Sequence, residues 1–578
     1  MSTTLTPFAT RKSNRRVFCA VACLLALHFL MSVSASRDWS TTNDELAHLT
    51  GGHTYWAFND YRMHSENGNL SQRWEAIPAL IFGWKLPDPA TSPNWSYGEV
   101  WRYGGAYFYD MGNPLDRMLL YGRAMNALWS VATGLLIFLW SRRLFGASGA
   151  FVSLVFFVFC PNFLAHGALA TSDMCMTFFF MASAGIFWRL LHETRPALLL
   201  ASAAVFGLAC VAKYSAVLLT PLFVILMGLR LLGDRPLAWK NRGISGAAGR
   251  ISLFAGITAV HAAVAVAVIW LFFGFKHLAS GPGVPPMLDY MRPAAMVREH
   301  LGGLGDFIFA ITRWHLLPDA FVYGFGHVLD LGSMRGCFLN GEYGLKGFVS
   351  FFPYAFLIKS PLSFLLACAL SSIVVLLTLR RNETLNGTLK RLWRWCYPVL
   401  PLIVFFALYW AISLPSHLNI GHRHILPIYP VLFIGLGLLG PWCLKTGKLA
   451  IVAVAILVAG QMIESVSIRP HYIAFFNVLI GGPAQGYRHL VDSSLDWGQD
   501  LPGLTRWLQT QGNRRPDEPV YVSYFATGNP WHYIKEALPL PCIPRLFSPD
   551  VWPELKPGLY CVSATMLQQV YNSLQGPW

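Results

Sequence analysis

The chain alternates between long apolar runs and short polar or basic breaks, a pattern that predicts helices crossing a membrane. Eleven runs stand out: 17–36, 118–140, 148–168, 173–191, 197–212, 215–232, 251–274, 350–379, 397–414, 425–444 and 449–465. At about 1.5 Å per residue, most can span a hydrocarbon core of about 30 Å. Two breaks, 37–117 and 275–349, are too long to be turns and are rich in Trp, Tyr, Gly and Pro. Irregular backbone beside a membrane must lie in the interface or line a cavity. Trp95, Tyr97, Trp101, Tyr103, Tyr107 and Tyr109 suit the interface, so helices lying along it are expected in both loops. Beyond residue 465 the apolar runs stop. Leu501–Gln511 reads as a short helix, and 520–525 and 558–563 alternate as strands do. The expected fold is an all-α polytopic membrane protein of about 11 transmembrane helices over 1–465, followed by a small α/β domain at 466–578.

Composition agrees. Hydrophobic residues make up 54% of the 578 and charged residues 13%, with mean hydropathy +0.44. The net charge of +15 would suit nucleic acid, but its distribution argues for topology instead. The segments assigned inside (1–16, 141–147, 189–197, 229–250, 380–396 and 445–448) hold 20 of the 44 Lys and Arg but only three acids, Glu193, Asp234 and Glu383. The positive excess lies on one side, as basic loops retained in the cytoplasm require, so no nucleic-acid partner is expected. Arg11, Lys12, Arg15 and Arg16 precede the first run, which reads as an uncleaved helix that sends the next loop outside. The eleven cysteines have no ligand-like spacing, although Cys542 and Cys561 share the C-terminal part and could pair.

Charge at the outer ends of the runs is where chemistry is expected. Asp44 and Glu45 follow the first run. Side chains adjacent on a helix point about 100° apart, so one can face a cavity while the other holds a loop. A carboxylate at an apolar cavity mouth should have raised proton affinity, which suits a general base; a solvated loop start is the plainer alternative. Asp173 sits at an outer turn, where it either orients a substrate or cation or caps the next helix. Arg117, Arg123, Lys213, Lys359 and Arg423 lie at the end of their runs that opposes the positive-inside trend. Together they suit a lipid phosphate, and singly they suit snorkelling to headgroups. His422 and His424 flank Arg423, but an i, i+2 pair does not share a helix face, which argues against a metal there.

These motifs resemble the bacterial branch of the protein O-mannosyltransferase-like family, within the glycosyltransferase C superfold. The resemblance covers about residues 15–530. It rests on Asp44-Glu45 with His48, on Arg117-Met-Leu-Leu-Tyr-Gly-Arg123 through Arg142-Arg143-Leu-Phe-Gly, and on Phe351 through Lys359-Ser-Pro-Leu. Asn419-Ile-Gly-His-Arg423-His, His471 through Asn477, and Asp492-Ser-Ser-Leu-Asp496-Trp-Gly-Gln-Asp500 complete it. One segment departs: where many relatives carry a His-Pro-Pro-Leu-like stretch, this chain has His64-Ser-Glu-Asn-Gly-Asn-Leu70, on the acceptor side of the expected pocket.

The resemblance implies a polyprenyl-phosphate sugar as donor, an unknown hydroxyl acceptor on protein, lipid or glycan, and inversion at the anomeric carbon. It implies Asp44 as base, with Glu45 and Asp173 assisting. Arg117, Arg123, Lys213, Lys359, His422 and Arg423 would serve the donor phosphate, and His48, Asp496 and Trp497 the acceptor or cap. No cofactor is assigned, and a divalent metal is left open. The expected location is the inner membrane among membrane lipids, with the N-terminus cytoplasmic and the site outside. A polytopic transporter or lipid-linked sugar flippase competes; it predicts inverted repeats and charges at mid-bilayer. A non-catalytic assembly protein would leave the acidic motif unexplained.

Overall fold

The computed structural model describes residues 11–232, 237–239, 242–244, 246–280, 293–379, 385–510, 518–544, 546, 549 and 551–571. Within them the chain is mostly helical, and the protein is a multi-pass membrane protein. Seven helices are long and apolar enough to cross a membrane, or up to nine if each of two bent pairs is one span. The expected eleven runs nearly all recur, and the difference in count has identifiable causes. Two runs merge in the 44-residue segment Leu115–Val158, whose halves meet at Gly146 with φ +74°, a conformation a side chain would strain. Pro196–Ala212, at 17 residues, is short for a span. The run 148–168 is not one helix: it ends at Val158, and Pro161 starts a short helix to Ala168 that meets Ser172–Leu190 at 113°. A second break, of 107°, separates Phe351–Lys359 from the following helix.

Aromatic packing fills the centre, where Phe157 lies 5.2 Å from Phe163 and 5.9 Å from Phe433, centroid to centroid. Among the seven unbroken candidate spans, His422–Thr446 is the most enclosed. The first long loop, expected outside, folds into Asn43–Phe58, Asn69–Glu75, Ile77–Phe82, Pro93–Ser96 and Val100–Tyr109. Three of the six aromatics expected at the interface do not reach the loop surface. Trp95, Tyr103 and Tyr107 are buried inside the loop, and only Tyr97 is largely exposed. The reason is mutual packing: Trp95 contacts both Phe58 and Tyr103, and the Tyr103 hydroxyl donates to the Pro87 carbonyl. Gly52 permits the close approach of two of these helices, because a Cβ there would collide with the Gln72 carbonyl. The second outer loop carries Ala294–Leu301, Gly303–Arg313 and Asp319–Leu331.

After the last span, the helix is Leu501–Thr510. Three short strands form one parallel sheet, with Val520–Ser523 between Ala537–Pro539 and Leu559–Val562. Cys542 and Cys561 are not bridged; the Cys542 thiol donates to the Leu540 carbonyl instead.

One buried ion pair fixes the first outer loop to the spans. Glu45 accepts from the Thr42 backbone N–H at 3.0 Å, closing the first turn of Asn43–Phe58. The same carboxylate meets Arg123 twice, at 2.6 and 2.8 Å. The remaining Arg123 N–H groups reach the carbonyls of Ser36, Trp39 and Ser40. Both side chains are about fully buried, at 1% and 0% exposure. Removing one partner of such a pair costs about 3–5 kcal/mol, because the other charge is left buried alone. Glu45→Ala is therefore expected to lower the thermal unfolding midpoint in detergent by several degrees and to reduce yield. An unchanged midpoint, followed by tryptophan fluorescence, would mean that the latch carries no stability.

Candidate active site

Each charged residue of the site sits where a helix starts or breaks. Asp44 is in the first turn of Asn43–Phe58, one residue from the Glu45 latch, so holding Glu45 inward aims Asp44 elsewhere. Asp173 is in the first turn of Ser172–Leu190, where the positive end of the helix favours an acid. Lys213 is the extended residue, φ −160° and ψ 144°, between Pro196–Ala212 and the short helix Tyr214–Leu218. Arg423 lies at the start of the 3₁₀ helix His422–Ile428.

These four make one network. Arg423 Nη1 lies 2.8 Å from Asp44 Oδ2 and 3.1 Å from Asp173 Oδ2, and Lys213 Nζ lies 2.5 Å from Asp173 Oδ1. Arg423 Nε donates to Ser493 Oγ at 3.2 Å, and its guanidinium lies 4.2 Å from the Trp497 ring centre. Two anions thus face two cations. Asp173, Lys213 and Arg423 also line a cavity of about 200 Å³ whose other walls include Phe180, Phe325 and Tyr409. An apolar cavity with cations at one end suits a lipid-linked anion.

The network also sets the protonation of Asp44. Burial pushes its carboxyl up, but the Arg423 charge and the Asn43 amide outweigh burial, and the group sits at about 2. The expected raised proton affinity is therefore corrected: a cation at 2.8 Å, rather than the apolar wall, decides it.

The other sequence candidates separate by location. Arg123 has all five N–H groups engaged by Glu45 and three carbonyls, leaving none for a phosphate. Lys359 is buried away from the cavity. Its Nζ donates to the Ile473 and Ser494 carbonyls at 2.8 and 2.6 Å, which braces the segment carrying Ser493. His422 Nε2 pairs with the Tyr429 hydroxyl at 2.6 Å. Arg117 is exposed and outside the cluster. His48 Nδ1 pairs with Glu75 Oε2 at 3.1 Å, behind Asp44. Asp496 accepts from the Thr565 backbone N–H at 2.8 Å, and Trp497 floors Arg423. Arg117, Arg123, Lys359 and His422 thus lie off the cavity wall, away from the phosphate position expected of them. Two residues were missed. Glu66, from the divergent stretch His64–Leu70, lines the cavity within 3.8 Å of His327. Arg335, in the second outer loop, acts electrostatically on Glu66, Asp492 and Asp44. A charge inside a departing motif was the one available signal for Glu66, and nothing local marked Arg335. Among the described residues, no group of three or more His, Cys, Asp or Glu could hold a metal ion.

Residues 106–270 match the family model of dolichyl-phosphate-mannose-protein mannosyltransferase. That stretch contains Arg123, Asp173 and Lys213 and ends before Arg423. Among solved structures, the chain is similar to ArnT from Cupriavidus metallidurans bound to undecaprenyl phosphate, at 12% identity and TM-score 0.45, covering 91% of this chain and 86% of that one. It is also similar to the apo oligosaccharyltransferase of Archaeoglobus fulgidus, at 12% identity and TM-score 0.46, covering 90% and 64%. A third is the Archaeoglobus fulgidus enzyme AglB in complex with an inhibitory peptide and a dolichol-phosphate, at 14% identity and TM-score 0.44, covering 90% and 64%. No curated protein sequence matches.

The lowered proton affinity of Asp44 predicts a pH signature. Its ordinary value is about 3.9, so the stabilisation by Arg423 is fully present above that pH and is lost as pH falls through about 2. The unfolding midpoints of the native protein and of Asp44→Asn should differ by a constant amount near neutrality and converge as pH falls below about 4. Convergence already near neutral pH would contradict the assignment.

Proposed function

We propose that this protein is an inverting glycosyltransferase that moves a monosaccharide from a polyprenyl-phosphate donor to an acceptor hydroxyl at the outer face of the inner membrane. The observation carrying this reading is Arg423, held between Asp44 and Asp173 with Lys213 alongside, at the wall of an apolar cavity. The family model over 106–270 supports it by naming a dolichyl-phosphate sugar chemistry. In this reading, loops 37–117 and 275–349 lie outside, and 466–578 form a non-cytoplasmic domain.

The chemistry follows from charge. A polyprenyl-phosphate sugar is a phosphodiester with one negative charge, and its phosphate competes with Asp44 for Arg423. Once Arg423 and Lys213 turn to the phosphate, Asp44 loses its strongest counter-charge and its proton affinity rises. It can then take the proton of the acceptor hydroxyl as that oxygen attacks the anomeric carbon. The glycosidic C–O bond to phosphate breaks on the opposite face, through an oxocarbenium-like transition state. The phosphate leaves with a second negative charge, which Arg423 and Lys213 meet. Asp173 holds Lys213 in place.

The two broken helices favour a second reading, a transporter or flippase, because interrupted spans also build translocation sites. Reconstitution separates the two. With a panel of labelled polyprenyl-phosphate sugars and deletion-strain membranes as acceptor, the native protein should transfer label. Asp44→Asn should lower kcat by about 10²–10⁴-fold with donor binding retained. Lys213→Ala should chiefly raise the donor KM. Full-rate transfer by Asp44→Asn would remove it from the base role, and donor movement across sealed vesicles without transfer would establish the second reading.

A further inference from the structure

Beside the cation network lies a buried pair that the transfer step leaves unused. His48 Nδ1 and Glu75 Oε2 are 3.1 Å apart, and the two side chains are 1% and 0% exposed. Two helices of the first long loop bring them together. His48 follows Asp44 by one turn of Asn43–Phe58, so the two side chains share a face. Glu75 ends Asn69–Glu75, which packs on that helix at Gly52, where the Gln72 carbonyl leaves no room for a Cβ.

A contact between an imidazole and a carboxyl is either an ion pair or a neutral hydrogen bond, and the surroundings decide which. Nothing supplies positive charge to Glu75. Among the described residues no Lys or Arg pairs with it, and the charges that act on it, Glu45 and Asp173, belong to acids. Its other oxygen, Oε1, is buried without a hydrogen-bond partner among the described residues. An ionised carboxylate would leave charge unsolvated there, whereas a carboxylic acid leaves only a neutral carbonyl oxygen. Burial and the two acids push the Glu75 carboxyl well above the usual carboxylate range. His48 is uncharged for a similar reason: burial, with the His64 ring 5.1 Å away, holds its imidazole down at about 3. Two neutral partners then share one proton between Oε2 and Nδ1. An Nδ1–H donating to Oε2 would strand the acid's own O–H on Oε1, where it has no acceptor. An O–H on Oε2 donating to Nδ1 strands nothing, and it puts the ring proton on Nε2.

The consequence falls on Asp44. The charges of Asp44, Asp173 and Lys213 all act on His48, which puts the imidazole next to the network. An imidazolium there would be a further cation against Asp44 and would hold its proton affinity down after Arg423 has turned to a phosphate. An uncharged ring does not. We infer that Glu75 is a positioning residue, a neutral acid that donates to His48 Nδ1 and keeps His48 an uncharged Nε2–H ring on the Asp44 face of its helix. Its bearing on turnover rests on the transfer reading above; the state of the pair does not.

Both parts are measured on the full-length protein in nanodiscs at neutral pH. In the infrared, the native spectrum minus that of Glu75→Gln should show the C=O band of a buried carboxylic acid. With isotope-labelled histidine, the ring-nitrogen signals lost in His48→Gln should be those of a neutral Nε2–H ring. In the transfer assay, Glu75→Ala should lower kcat by about tenfold or more with the donor KM near native. Glu75→Gln, uncharged and able to donate as the acid does, should restore the rate. A carboxylate band, an imidazolium, an Nδ1–H ring, or a Glu75→Gln variant as slow as Glu75→Ala would each overturn the proposal. If the native protein transfers no sugar, the transfer reading falls, and the two spectra still decide the state of the pair.

Discussion

The site depends on one guanidinium serving two carboxylates. Arg423 is 8% exposed and sits 2.8 and 3.1 Å from Asp44 and Asp173. In so dry a place an unpaired charge is costly, so loss of Arg423 would leave Asp44 without its cation and Asp173 with Lys213 alone. Lys213 balances the second acid, and the four charges sum to zero. An empty site built this way is stable, yet ready for an anion. In the proposed mechanism, an entering phosphodiester carries the same single negative charge as a carboxylate and can take its place beside Arg423, freeing that carboxylate.

That network holds its geometry because other charges near it are fully engaged. Glu45 and Arg123 tie the loop to the spans, so the neighbouring Asp44 has little freedom to turn away. Lys359 braces the segment 473–494, whose Ser493 accepts from Arg423 and whose continuation places Trp497 beneath it. A cation above a tryptophan face gains about 0.5–2 kcal/mol. These residues act on the site through the backbone they fix, which is why they resemble ligands in sequence without reaching the cavity.

Much of this was legible in the sequence, and the limits have physical reasons. Long apolar runs mark the spans because lipid demands them, and charges at the ends of those runs mark the candidate site because lipid penalises them. Asp44, Asp173, Lys213 and Arg423 were singled out on that ground, and the structure brings them together. Sequence could not separate Arg423 from Arg123, because both are bases at outer helix ends and only the carbonyls of Ser36, Trp39 and Ser40 distinguish them. The break at Pro161 is signalled by Pro161 and Asn162 themselves, but the apolar stretches on both sides read together as one span, and the aromatics of the first loop were as suited to packing on one another as on headgroups. Arg335 and Glu66 meet the site through tertiary contacts that no local spacing encodes.

The low proton affinity of Asp44 looks at first like a poor property for a base. It belongs to the empty site, where Arg423 is its neighbour, and the value of about 2 measures that partnership rather than the reacting state. A base that stayed strong in the empty site would stand protonated in an apolar pocket and would need to lose that proton before each turnover. In the proposed mechanism the carboxylate is kept ionised by the same cation that the donor phosphate would claim. The proton affinity needed for catalysis would then arise only with donor bound. Charge is conserved through the proposed step: Asp44 gains one proton as the leaving phosphate gains one negative charge. Arg423 and Lys213 can remain in place throughout, so the site need not reorganise while the sugar moves, the condition under which fixed charges lower a barrier most.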